Sequence, residues 1–68
     1  MEIGKNLRRL RNRAGLTQQE IADRLDVSRV AIGQWESDKS MPRKGNLEQL
    51  ADLFGTTVAD LMGESGEQ

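Results

Sequence analysis

Arg29, Val30 and Gln34 stand close together in the chain and carry side chains whose chemistry matches the edges of DNA base pairs. A guanidinium can bind guanine N7 and O6 in a fork, a glutamine amide can pair with adenine, and a valine can contact a thymine methyl. At about 100° per residue, a helix opening after Ser28 puts Val30 roughly 200° from Ile32 and about 40° from Gln34, so an apolar side chain and an amide share one side. Ile32 and Trp35 lie three residues apart on the opposite side and would anchor that helix on a core. Val30 has a plain alternative reading as a singly exposed apolar residue of the kind most protein surfaces carry. The residues around it favour the first reading.

From Thr17 to Glu36 the chain reads TQQEIADRLDVSRVAIGQWE, two short helical patterns joined by a tight turn. Thr17 can accept a hydrogen bond from the amide of Glu20 while the Glu20 carboxylate reaches back, a capping box that opens a helix over about Gln18 to Leu25. Ile21, Ala22 and Leu25 share its inner face, and Asp23 and Arg24 face water. Asp26 falls at the break, where it tolerates a left-handed backbone better than most residues apart from Gly and Asn. Val27 then points inward, and Ser28 caps a second helix over about Arg29 to Ser37. Two helices at this spacing present the second to a DNA major groove, where the N-terminal residues of such a helix meet base edges.

On these residues the chain resembles the lambdoid phage repressor family, the XRE-type helix-turn-helix proteins. The stretch VSRVAIGQWE is especially similar to the recognition helix of one branch, in which a valine at the place of Val30 sits among thymine methyls. The resemblance covers roughly residues 3 to 62. It implies an all-α fold, a compact five-helix lambda-repressor-like DNA-binding domain. It also implies that Gln18, Arg29, Val30 and Gln34 touch bases and that Thr17, Ser28, Ser37 and Arg43 touch phosphates. In the family the loop after the recognition helix runs along the DNA backbone, which adds Lys39 and Lys44 as phosphate candidates, against the alternative of a solvated loop. Arg11 and Glu36 align with a buried ion pair that ties the first helix to the recognition helix. The alternative for that pair is two solvated surface charges, worth about 0 to 1 kcal/mol. Asp26 stands where the family usually has Gly, so the turn either carries some strain or uses an Asx-type side-chain bond. The position of Arg29 varies among relatives, so a target sequence does not transfer.

Composition sets the outer limits. Sixty-eight residues make one domain, and a chain this short buries only about 60% of its unfolded surface. Cysteine and histidine are both absent, so no disulfide or thiolate metal site can staple the fold, and a catalytic centre has little to be built from. The acidic residues are scattered without the loop spacing of a cation site. No enzyme activity, cofactor or metal is expected. No stretch approaches the roughly 18 apolar residues of a membrane span, and MEIGKNLRRLRNR lacks the apolar run of a signal peptide, so a cytoplasmic, nucleoid-associated location is expected. That basic, amphipathic segment could also be read as a membrane-surface helix. Its apolar face of Ile3, Leu7, Leu10 and Ala14 is better explained as core.

Helical periodicity accounts for the remaining apolar residues. The first helix spans about Glu2 to Ala14 and stops at Gly15, after which Leu16 enters the core. Asp38 to Gly45 reads as a polar loop with Met41 held extended by Pro42. Asn46 is expected to cap a fourth helix whose Leu47, Leu50, Ala51 and Phe54 recur at i, i+3, i+4 and i+7, ending at Gly55. Thr57 and Asp60 make a capping-box-like pair for a short fifth helix with Val58, Leu61 and Met62 inward. The domain thus covers residues 1–63, with the helix-turn-helix unit at 17–37 and a polar tail at 64–68.

A net charge of −1 argues at first against a nucleic-acid partner. Its distribution answers the objection. All ten Lys and Arg residues lie between Lys5 and Lys44, against six acidic residues up to the same point, whereas Gly45 onward holds five acidic residues and no basic one. The fold would carry a positive end toward phosphates and a negative end away from them. The expected function is therefore a sequence-specific, double-stranded-DNA-binding transcriptional regulator, a repressor binding an inverted-repeat operator as a homodimer with the third helix in the major groove. One recognition helix reads too few base pairs to select a genomic site alone, and the residues after Phe54 are the expected dimer surface. A phage or mobile-element repressor, a restriction-modification controller and an autoregulating antitoxin all fit. A protein-interaction module on the same scaffold is the alternative from a different class, and it should show a larger apolar patch on the third helix.

Overall fold

The computed structural model describes residues 3–63, and these form five α-helices: α1 (Ile3–Ala14), α2 (Gln18–Leu25), α3 (Arg29–Glu36), α4 (Lys44–Phe54) and α5 (Val58–Leu61). Among the described residues there is no strand, as the helical periodicity requires. Glu2, expected at the start of α1, and the tail at 64–68 lie outside the described residues.

The starts of α2, α3 and α5 each trace to a capping side chain. At α2 the capping box closes in both directions: Glu20 N donates to Thr17 Oγ1 at 3.0 Å, and Thr17 N donates to Glu20 Oε1 at 2.7 Å. Ser28 Oγ accepts from Ala31 N at 3.1 Å and opens α3, while Thr57 Oγ1 accepts from Asp60 N at 3.0 Å and opens α5. Gly15 and Gly55 end α1 and α4 with φ of 71° and 66°, the left-handed backbone that glycine adopts without a Cβ penalty. Asp26 does the same at the end of α2 with φ 58° and ψ 45°, and Val27 N returns to Ala22 O at 3.0 Å. The Asp26 carboxylate takes no hydrogen bond among the described residues, so the turn is closed by its main chain alone and carries the left-handed strain of a non-glycine residue.

Four sequence expectations need correction. The fourth helix is not capped by Asn46: it begins two residues earlier, at Lys44, with Arg43 in the cap position and no side-chain cap bond. Asn46 lies inside the first turn, where the Pro42 ring has already directed the chain. Pro42 itself is buried, so the segment expected to be a polar loop is pinned to the protein at that residue. Ala14 is exposed rather than core, because the last turn of α1 runs past the edge of the apolar cluster. α3 ends at Glu36 with Ser37 as its C-cap, one residue short of the expected end.

One core joins all five helices: Ile3 and Leu7 of α1, Ile21, Ala22 and Leu25 of α2, Ile32 and Trp35 of α3, Leu47, Leu50 and Ala51 of α4, and Leu61 of α5. Leu10, Leu16, Val27, Phe54, Val58 and Met62 pack against its rim. Ala22 is fully buried and leaves room for its neighbours to approach. The core therefore grips both helices of the turn unit from beneath and leaves the outer side of α3 unsupported by any other element.

Candidate nucleic-acid interface

The outer face of α3 is the part of the surface that the core does not use. Val30 is 58% exposed, and Arg29 and Gln34 are exposed beside it, while Ile32 and Trp35 on the opposite side are buried. The helix cannot roll to hide Val30 without pulling Trp35 out of the core, so the exposure is fixed by packing.

The start of α2 is brought against the start of α3. Arg29 Nη1 donates to Gln18 Oε1 at 3.4 Å, placing Gln18 next to the exposed set. Behind them stands the Arg11–Glu36 pair: Arg11 Nε donates to Glu36 Oε2 at 2.6 Å and Arg11 Nη2 to Glu36 Oε1 at 3.1 Å. Glu36 is 5% exposed, so this is a two-pronged, largely desolvated pair and not two surface charges. Arg11 also donates through Nη1 to the carbonyl of Leu16 at 3.1 Å, which ties the loop between α1 and α2 to the same point. The Glu36 hydrogen bond raises the Arg11 guanidinium above its already high ordinary value, outweighing partial desolvation in the other direction.

The polar residues around this face differ in how free they are. Thr17 and Ser28 spend an oxygen lone pair on capping but keep their hydroxyl protons, so each can still donate to a phosphate oxygen. Ser37 is differently placed: its hydroxyl donates to the Gln34 carbonyl at 3.3 Å and would have to give up that bond to reach a phosphate. Lys39, Arg43 and Lys44 are exposed, and the structure joins none of their side chains to the Arg29–Gln18 group. The Lys39 main-chain N–H does hold the end of α3, donating to Gln34 O at 2.9 Å. Arg43 and Lys44 flank the N-terminus of α4, whose first amides have no side-chain cap and which carries the positive end of the helix dipole.

Four supporting residues were not picked out from the sequence. Gly4 lies against the main chain at the end of α3, and its amide donates to Asp38 Oδ1 at 3.1 Å, with Asp38 itself left-handed at φ 63°. Asn6 is buried and donates through Nδ2 to the Leu61 carbonyl at 3.0 Å, joining α1 to α5. A glycine among helix formers was the signal available for Gly4, since glycine within a helix costs about 1 kcal/mol against alanine unless packing needs it. Lys5 and Arg8 of α1 line a groove with Glu36, Ser37 and Asp38 and extend the basic surface past the end of α3. Their spacing of three on the polar side of α1 was visible, but the approach of α1 to the end of α3 was not.

A helix-turn-helix unit with its second helix facing outward and tied to α1 by a buried ion pair defines a DNA-binding class of domain. The comparisons with known proteins agree. The helix-turn-helix family profile matches residues 7–61. Over all 68 residues the chain is 40% identical to the HTH-type transcriptional activator BcrR of Enterococcus faecalis, and over 46 residues it is 46% identical to the 26 kDa repressor protein of Escherichia phage HK022. The first match takes in 100% of this chain and 32% of BcrR, the second 68% of this chain and 20% of the phage protein. This chain thus spans about a third or less of the length of those relatives. Its structure superimposes on that of the P22 c2 repressor protein, solved in complex with a synthetic operator, with a TM-score of 0.88 at 26% identity, covering 96% of this chain and 98% of that one. The protein belongs to the XRE-type helix-turn-helix family of phage repressors and transcriptional regulators.

Proposed function

We propose that this chain is the sequence-reading, double-stranded-DNA-binding part of a transcriptional regulator, acting by occupying an operator. The observation that carries the reading is the outer face of α3: Arg29, Val30 and Gln34 exposed together on a helix whose roll is fixed by Trp35 and Ile32. In this reading Gln18, Arg29, Val30 and Gln34 meet base edges. Thr17, Ser28, Ser37, Lys39, Arg43 and Lys44 meet phosphates and set the register. The relatives include both an activator and a repressor. An operator overlapping a promoter makes the same binding event repressive, and repression is the outcome proposed here.

The protein acts as a homodimer on an inverted repeat, with half-sites about one DNA turn, roughly 34 Å, apart. Support for a second copy is energetic, since a single α3 meets too few base pairs to compete with the non-specific sites of a genome. The chromosome is then its place of action, in the cytoplasm.

Selection from a random duplex library at two salt concentrations tests this. An enriched inverted repeat is expected, with affinity that falls as salt rises. Salt-sensitive retention without enrichment would refute the sequence-reading role, and no retention would leave the five-helix scaffold as a protein-binding module.

A further inference from the structure

Glu36 receives more than its ion-pair partner. Its Oε1 accepts from Arg11 Nη2 at 3.1 Å and also from Gln18 Nε2 at 3.1 Å, while its Oε2 is taken by Arg11 Nε. The ionised carboxylate can only accept, whereas a glutamine amide offers two donors on one arm and an acceptor on the other. Gln18 therefore has one allowed orientation. Turned the other way, its Oε1 would face a buried carboxylate oxygen, replacing an attraction with repulsion between two acceptors.

With its nitrogen held inward, Gln18 turns Oε1 outward, and that oxygen is what Arg29 Nη1 approaches at 3.4 Å. A guanidinium carries only donors, so it matches this orientation of the amide and not the flipped one. The contact is long and exposed, hence weak in itself. Its effect is to bias which rotamer of a flexible side chain stands over the groove face before any base arrives, and a pre-set fork loses less freedom on binding than a free one.

We infer that Glu36, itself buried and out of reach of DNA, is a positioning residue for sequence recognition: by fixing the polarity of the Gln18 amide it fixes the direction in which Arg29 meets its base pair. This rests on the DNA-reading role proposed above and assigns the buried carboxylate a part in specificity beyond joining α1 to α3.

The test starts from the base pair at which Arg29→Ala abolishes preference. Glu36→Gln keeps the shape but can both donate and accept, so it no longer dictates the amide. Discrimination at that base pair should fall by about tenfold in Glu36→Gln and in Gln18→Ala, with the slope of affinity against salt unchanged in both. Should Glu36→Gln fail to fold, Gln18→Ala decides alone, because it leaves the Arg11–Glu36 pair in place. Wild-type discrimination at the Arg29 base pair in either folded variant overturns the inference. In the free wild-type protein, NMR should show one pair of slowly exchanging Gln18 Nε2 protons; averaged, rapidly exchanging signals would overturn it without reference to DNA. A wild type that selects no sequence overturns the proposed function and the recognition role together, which is distinguishable from a selective wild type with indifferent variants.

Discussion

The bare α-carbon of Gly4 lies directly on the main-chain carbonyl of Glu36. A Cβ built at Gly4 would collide with Glu36 O and come within 2.8 Å of Trp35 O and of Glu36 C, all of them backbone atoms that cannot rotate away. The first turn of α1 is thereby pressed onto the last turn of α3, and Asp38 closes the contact by accepting the Gly4 amide. This places Arg11, two turns along α1, where it reaches the Glu36 carboxylate.

Gly4→Ala sets two effects against each other. Helix propensity favours alanine by about 1 kcal/mol. Overpacking against fixed backbone costs about 1 to 3 kcal/mol or more, since α1 must move as a unit, and it prevails here. The variant should melt lower than wild type in a thermal scan followed by circular dichroism. An equal or higher melting temperature would mean that α1 is not seated on the end of α3.

Removal of the Arg11 guanidinium separates the buried pair from two solvated charges. Arg11→Met keeps the stem and leaves Glu36 charged, 5% exposed and without its two-pronged partner. A loss of about 3 to 5 kcal/mol is expected, where an exposed pair would give about 0 to 1 kcal/mol. Urea denaturation measures the difference directly. The large value is a substantial fraction of the total stability of a domain, about 5 to 15 kcal/mol.

How much of this could be read from the sequence depends on whether a feature is local. The capping box at Thr17 and Glu20, the Ser28 cap, the left-handed Asp26 and the terminating Gly15 and Gly55 are set by residues within a few positions of one another, and the structure has each of them. The burial of Ile32 and Trp35 opposite Val30 follows from helical period alone. The Arg11–Glu36 pair is not local, and it was legible only through family resemblance. Asn46 misled because its type favours a cap, yet the buried Pro42 starts the turn early enough for α4 to begin at Lys44. The links from Gly4 to the end of α3, from Asn6 to Leu61 and from Gln18 to Glu36 cross between helices, and no spacing rule within one element reports them.

Asp26 offers a test of turn strain. Its carboxylate makes no bond among the described residues, and its φ of 58° is costly for a residue with a Cβ. Asp26→Gly removes that cost, about 1 kcal/mol, but adds back a similar chain entropy to the unfolded state. The net change should lie within about 0.5 kcal/mol of zero, whereas Asp26→Val, β-branched and unable to sit in this region at ease, should lose more than about 1 kcal/mol. Equal stability of the Gly and Val variants would show that the turn relaxes to another backbone.

The division of the interface into base-reading and phosphate-holding residues is open to the sharpest test, because the two respond to different variables. Arg29→Ala or Gln34→Ala should cost about 1 to 3 kcal/mol on the preferred site and relax its sequence, since a base edge loses its partner while the phosphate contacts stay. Arg43→Ala should weaken every duplex by a similar factor and reduce the slope of log affinity against log salt by about 1, because one fewer phosphate is neutralised. Arg43 can act in this way because it is exposed at the uncapped N-terminus of α4, outside α3, where it can add charge to the surface. Fluorescence anisotropy with matched and mismatched duplexes at several salt concentrations separates the two signatures. A change of base preference in Arg43→Ala together with none in Arg29→Ala would reverse the assignment, and α3 would then be holding the backbone while the loop before α4 reads the sequence.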